Sequence, residues 1–439
     1  MRMGSSVILG SLSVAFATAA MPTTSEAATL AVTNCNDSGA GSLRQAVASA
    51  ASGDVVDLRG LACARITLTG GAIAVPQSDL AIRGPGFNRL AISGNWRGSV
   101  FRHAGTGLLS LRGMAIEHGW VRGAGVRGGC VASEGRADLT DAHVRHCAAL
   151  GGAGAHGGGV YARGGLTLTY AAVYSNRAAG DGGGLYTPAK LRVHRARVLK
   201  NSARNGGGAT ARIAHVTFST FEANAASDSG GGLSLPFLID APVEYQLSLW
   251  HSTFAANTAT GTGGGIMGGE GRKYVVNSTF TGNAAWRGAA LQSYWEAQVF
   301  NSTFAWNRTT SRDAANPCGG ALEVTDGTFL FVSSIAAHTT CDGAPGVDIA
   351  SPHMPDAERS IATRLDVAPP EGIVLIDPML LPLADHGGRT RVHALDPASP
   401  AIDAGTDWIG SDFDQRGDGH ARELGAMPDI GAYEYDGAR

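Results

Sequence analysis

Two glutamates, Glu296 and Glu323, stand 27 residues apart, and each follows a glycine-rich stretch. Glycoside hydrolysis needs two carboxyls at a set separation. These are the candidate acid–base pair, the alternative being solvated edge charges. Elimination chemistry instead needs a cation to hold a substrate carboxylate and a base to take a proton. Arg192, His194 and His215 offer both, and strand alternation turns them outward if Leu191, Val193, Ala214 and Val216 face in. Three basic residues on a solvated face are the plainer reading. The same alternation would expose Trp250, Tyr274, Phe300, Phe329 and Phe331 beside Gln298. Of these, Trp250, Tyr274, Gln298 and Phe300 are the candidate binding platform, because flat rings with amide neighbours suit sugar rings or a protein partner. The alternative is that excursions around residues 233–246 and 308–318 cover this face and make it a second core. Asp412, Asp414 and Glu423 fall on calcium-loop spacing with Gly417 in place. Arg416 brings the wrong charge to a ligand position, so no cofactor is expected, with calcium the one candidate.

The elements that must carry these residues are read from a repeat. Asn or His recurs after an apolar strand at His118, His146, Asn176, Asn201, Asn224, Asn257, Asn283, Asn307 and His338. From Asn176 to Asn307 the gaps are 25, 23, 33, 26 and 24. Three residues before these positions stand Val173, Val198, Phe221, Phe254, Phe280, Phe304 and Ile335. Between them come glycine clusters, such as Gly182-Gly183-Gly184, Gly230-Gly231-Gly232 and Gly263-Gly264-Gly265, usually followed by an aliphatic residue. A period of this length with one apolar set per strand means stacked coils, none of which can bury its own apolar residues alone. A column of Asn side chains can satisfy corner backbone groups, and glycine permits positive φ where coils approach closely. The Asn-x-Ser/Thr matches at Asn277, Asn301 and Asn307 read first as corner positions.

Phe221-x-x-Asn224, Phe254-x-x-Asn257, Phe280-x-x-Asn283 and Phe304-x-x-Asn307, alternating with Gly-Gly-Ala/Gly-aliphatic, resemble the repeats of chlamydial polymorphic outer-membrane proteins. They also resemble the wider bacterial pectin-lyase-like class. The resemblance covers roughly residues 100–350 and implies an all-β, right-handed, single-stranded parallel β-helix. Val32 to Ala46 is similar to the opening of many exported β-helix proteins, which implies a short amphipathic helix near residues 41–51 as an N-terminal cap. Ser399 to Gly405, Asp414-Gln415-Arg416-Gly417 and Asp429 to Glu434 are similar to a choice-of-anchor Q tail, which implies an irregular C-terminal cap. The glycan-cleaving motifs of polygalacturonases and pectate lyases are missing, and fold alone does not transfer an activity.

The ends and the composition set the context. Arg2 followed by the apolar, small-residue run Val7 to Ala20 has the layout of a secretory signal peptide. No later apolar stretch has the length to cross a bilayer. The expected organisation is therefore a signal peptide at 1–28, an N-terminal cap and first coils at 29–100, the repeats at 101–350, and last coils with the tail at 351–439. There are 63 glycines among 439 residues, in clusters, which marks a repeated backbone requirement rather than disorder. A net charge of −3 gives no sign of a nucleic-acid surface. Six cysteines in an exported chain favour disulfides, and local pairing is expected as Cys35–Cys63, Cys130–Cys147 and Cys318–Cys341. The leading functional expectation is a secreted or cell-surface monomer that binds polysaccharide or a surface partner without catalysis. The competing one is an extracellular polysaccharide lyase or glycoside hydrolase.

Overall fold

In the computed structural model, which describes residues 27–237, 245–311 and 318–437, strands of two to ten residues alternate with short turns. Two corners of each central coil are made by a single residue in the left-handed region. One column runs through Tyr170, Arg195, Phe218, His251, Asn277 and Asn301, with φ between 45° and 51°. The other runs through His146, Ser175, Lys200, Ala223, Ala256 and Trp306, with φ between 51° and 54°. The third corner is the glycine cluster. There Gly182 has φ 69°, and a Cβ on it would collide with the Leu185 carbonyl. An L-residue rarely tolerates that combination, so the recurrence of glycine is a steric requirement.

Coils stack in parallel register and form a right-handed parallel β-helix of about twelve turns. The third face of the coils is formed by strands such as Ala172–Tyr174, Arg197–Leu199, Thr220–Glu222 and Thr253–Ala255, and its inward row reads Val144, Val173, Val198, Phe221, Phe254, Phe280, Phe304, Ala336 and Ala362. Its phenyl rings stack 4.7 to 5.2 Å apart with interplanar angles of 5° to 14°. Beside them lies the amide ladder. Asn201, Asn224, Asn257, Asn283 and Asn307 each accept, through Oδ1, from the main-chain N–H and Nδ2 of the preceding ladder residue at 2.9–3.1 Å. Each Nδ2 from Asn176 to Asn307 also donates to a strand carbonyl, as Asn257 does to Phe221 O (2.9 Å). The whole column is at most 1 % exposed.

The expected place of histidine in this column is corrected by one residue. His118, His146 and His338 occupy the left-handed corner, with φ of 55°, 53° and 57°. Cys147, not His146, gives its N–H to Asn176 Oδ1 (3.0 Å), and His338 stacks on Trp306 of the neighbouring corner. A left-handed corner points its side chain outward, where an imidazole fits. The interior slot takes an amide or a small residue. Ile335 shifts likewise. It pairs with Thr303 on the outside, and Ala336 takes the place inside.

The ends are closed in different ways. The helix Leu43–Ser49 has Ser42 as N-cap, accepting from Gln45 N–H, and buries Leu43, Ala46 and Val47. Gln77 caps its far end by donating to Val47 O (2.7 Å) and Ala50 O (2.8 Å). At the other end nothing described covers the inward row, and Leu375 is 46 % exposed. The C-terminal segment after Leu375 is irregular and folds back along the outer flank of the third face. Val392, Ala394, Leu395, Ala401, Ile430 and Ala432 pack there against Ile335, Ala337 and Ile361. Thr253 Oγ1 donates to Arg391 O (2.6 Å), and Thr303 Oγ1 accepts from Ala432 N–H (3.0 Å). The three local disulfides are formed, with Cα–Cα distances of 6.4, 5.5 and 6.0 Å. The signal-peptide reading falls almost wholly on residues 1–26, outside the described residues. Among those described, no helix is long and apolar enough to cross a membrane.

Two substitutions test this register. Phe254 is fully buried between Phe221 and Phe280, so Phe254→Ala should cost about 3–5 kcal/mol in urea unfolding. An unchanged midpoint would mean that the ring is not inside. Ala256 is exposed at φ 53°, so Ala256→Gly should instead stabilise by about 1 kcal/mol, by relieving the left-handed strain. A loss of stability would show that this corner carries no strain.

Candidate functional site

Outward positions on the paired strands Leu185–His194 and Ala209–Thr217 follow the alternation. Arg192 stands in register beside His215, between buried Leu191, Val193, Ala214 and Val216. His194 lies two residues along from Arg192, and its Nδ1 is 2.7 Å from Thr217 Oγ1. Burial pushes both imidazoles below their usual basicity, helped by Arg195 and Arg389 at His194 and by Lys190 and Arg192 at His215. The structure thus gathers the basic trio, with both histidines disposed to be neutral.

Glu296 and Glu323 are not gathered. Glu323 is in register with Gln292, and Arg287 holds it at 2.7 Å. Glu296 precedes a different strand and pairs with Arg272 at 2.8 Å. The aromatic platform is also revised. Phe329 and Phe331 continue the inward row of Ala297 and Val299 and are 3 % and 0 % exposed, which leaves Leu330 outside. Phe300 points outward but is 5 % exposed, in a cluster with Val276 and Val332 against which Ile409 packs. The tail is tied down there by Asn277 Nδ2 donating to Phe413 O (2.9 Å). Trp250, Tyr274 and Gln298 remain half-buried at its margin, with Tyr274 ring centroids 5.4 Å from both Trp250 and Phe300. The covering element is therefore the tail. Of the excursions expected to do this, residues 238–244 and 312–317 lie outside the described residues.

The calcium-loop spacing does not converge either. Asp414 is buried, and its oxygens accept from Arg416 Nε (2.9 Å), Arg416 N–H (2.7 Å) and Glu434 N–H (2.9 Å). Asp412 and Glu423 are exposed and do not join it in a cluster of ligand atoms. Arg416, the residue of the wrong charge, is the partner Asp414 uses.

A more complete site lies at the corner next to the basic trio. Along the third face, the outer row reads His143, Ala172, Arg197, Thr220, Thr253, Thr279, Thr303, Ile335 and Ile361. The tail docks on its threonine and isoleucine half. The half from His143 to Thr220 stays open, and contiguous cavities of about 430, 370 and 270 Å³ run along it and under the tail. At one end His143 stacks on Phe87, centroids 3.7 Å apart. In the middle, the Arg195 guanidinium lies 5.6 Å from the Tyr170 ring and 5.7 Å from the Phe218 ring, and donates to Tyr170 Oη (2.5 Å). At the far end the tail contributes Arg389 and Arg391, the latter paired with Glu222 at 2.8 Å. Gly417 lets the tail close over Phe218, because a Cβ there would press on that ring.

Sequence reasoning reached His194 and Arg192 beside this groove but missed Tyr170, Arg195, Arg197, Phe218 and Arg389. The legible signal was charge. Residues 142–221 carry ten Lys and Arg against the single acidic residue Asp181, in a chain with 34 against 37.

The class these features define is a parallel β-helix with a laterally docked tail and an open arginine-aromatic groove. No family model matches the chain, and no curated protein matches it. The crystal structure of pectate lyase Pel9A is similar over 93% of this chain and 96% of its own, at 14% identity and a TM-score of 0.45. That likeness carries no argument about activity.

The docked tail has a testable pH dependence. His393 is buried, with Nδ1 2.8 Å from Leu381 O and Nε2 3.0 Å from Thr281 Oγ1, and burial pushes its imidazole down to about 4. The unfolded chain takes up this proton near 6.5, whereas the folded one does not until about 4. Its contribution is therefore complete above pH 6.5 and lost as pH falls towards 4, amounting to about 3 kcal/mol. His393→Gln should shrink the stability difference between pH 7 and pH 4.5 in urea titrations. A difference as large as the wild type's would place the acid sensitivity elsewhere.

Proposed function

We propose that this is an exported, non-catalytic binder of polysaccharide or of a cell-surface partner. Its contact surface is the groove from Phe87 to Arg389. The observation that carries the reading is the sandwich of Arg195 between Tyr170 and Phe218 on a rigid corner, with Tyr170 49 % exposed. Exposed aromatic faces hold sugar rings, and guanidinium groups supply several directional donors in one preorganised planar fork. The disulfides and the leader-like first residues support action outside the cell. The hydrolase alternative is weakened because each candidate glutamate is bound to its own arginine and the two stand at different strands. The elimination alternative keeps one supporting feature, Arg192 beside His215.

Retention on a panel of immobilised neutral and acidic polysaccharides tests the reading. Tyr170→Ser should weaken retention at least about tenfold, since aromatic anchors dominate binding. It should alter the thermal midpoint little, because the residue is half exposed at the surface. Release of reducing ends or unsaturated uronates would refute the non-catalytic assignment. Unchanged retention by the variant would move the site away from this groove.

A further inference from the structure

We propose that the groove is an anion site that reads carboxylate or sulfate groups spaced along an extended glycan, and that the tail completes it through Arg389. This deepens the binding reading above and rests on it. Arg195, Arg197 and Arg389 line one cavity, and among the described residues none has a carboxylate within ion-pair distance. Glu222, the acid there, is already engaged with Arg391. The Arg195 Nε is buried without a hydrogen-bond partner. An unpartnered polar atom of this kind is costly in a finished structure and marks this corner as incompletely satisfied. Arg192 extends the positive face round the corner, likewise without an ion-pair partner among the described residues.

The shape favours a polymer over a small anion. His143, Ala172, Arg197 and Thr220 are successive members of one row, three coil steps, or roughly 15 Å at about 4.8 Å per coil. That path runs from Phe87 on His143 to Tyr170 and Phe218 with the Arg195 guanidinium between them. An acidic sugar presents both matching features, a ring face for stacking and an equatorial anion for a planar fork. The tail brings Arg389 and Arg391 to the groove only because it is docked on the threonine half of the row. The site is therefore composite, built from coil and tail.

The test compares dextran, dextran sulfate and alginate as probes, by affinity electrophoresis of the full chain at two salt concentrations. The expected result is retention by the two acidic polymers that weakens as salt rises, with little retention by dextran. Arg195→Gln combined with Arg389→Gln should lower that affinity at least about tenfold and flatten the salt dependence, whereas Arg163→Gln, an exposed residue paired with Glu134, should not. A matching thermal midpoint confirms that the double variant is folded. A larger loss on alginate marks carboxylate as the group read, and a larger loss on dextran sulfate marks sulfate. Equal retention on dextran, or a double variant that still binds the acidic polymers normally, would overturn the anion assignment and leave glycan binding standing. Binding of a DNA duplex with the same sensitivity to the double variant would overturn the glycan assignment. No retention of any probe would sink both readings.

Discussion

The buried amide ladder from Asn176 to Asn307 is the interaction on which the remaining structure depends. From Asn201 to Asn283, each amide accepts two hydrogen bonds from the preceding coil and donates to the amide oxygen of the following coil as well as to a strand carbonyl. It thereby satisfies the corner groups that the strand ladders leave open, where an orphaned buried group would cost roughly 1–3 kcal/mol. Because six successive coils carry the amide at the same angular position, their register is fixed, and a slip of one residue would turn the phenyl rings outward. The columns of left-handed corners follow from the same constraint. So does the alignment of Tyr170, Arg195 and Phe218 that builds the groove.

The tail uses the face that this register presents. Thr253, Thr279 and Thr303 offer small side chains with hydroxyls, and Ile335 and Ile361 add apolar surface. The tail in turn is stiffened by buried ion pairs, Arg416 with Asp414 at 2.8 Å and Arg422 with Glu434 at 3.6 Å. Removing one partner of such a pair would leave an uncompensated buried charge, which is strongly destabilising. Thr253 is bonded to the tail, whereas its row neighbour Thr220 lines the open cavity with Arg389 and Arg391, so the groove opens between these two coils.

Much of this was readable in one dimension, and the errors were of one kind. The phenylalanine row, the glycine corner, the inward asparagines and the local disulfides were legible because each recurs or pairs within about one coil. The assignments of His118, His146, His338 and Ile335 were off by one residue, because a left-handed corner and the amide slot behind it are adjacent in sequence and opposite in direction. Phe329 and Phe331 were placed outside for a similar reason. Strand parity is set by pairing with Ala297 and Val299, and the sequence of one strand does not contain it.

By itself, then, the sequence determined the solenoid, its period and which residue types fill its interior, since these follow from short-range repetition of sterics and hydrogen bonding. It did not determine where the tail lies. That placement depends on contacts between residues more than a hundred positions apart, such as Thr253 with Arg391 and Thr303 with Ala432. Only the tertiary structure buried Phe300 and paired Asp414 with Arg416. It likewise brought Arg389 beside Arg195 and Arg197, because the outer surface of a coil acquires its environment from whatever packs on it.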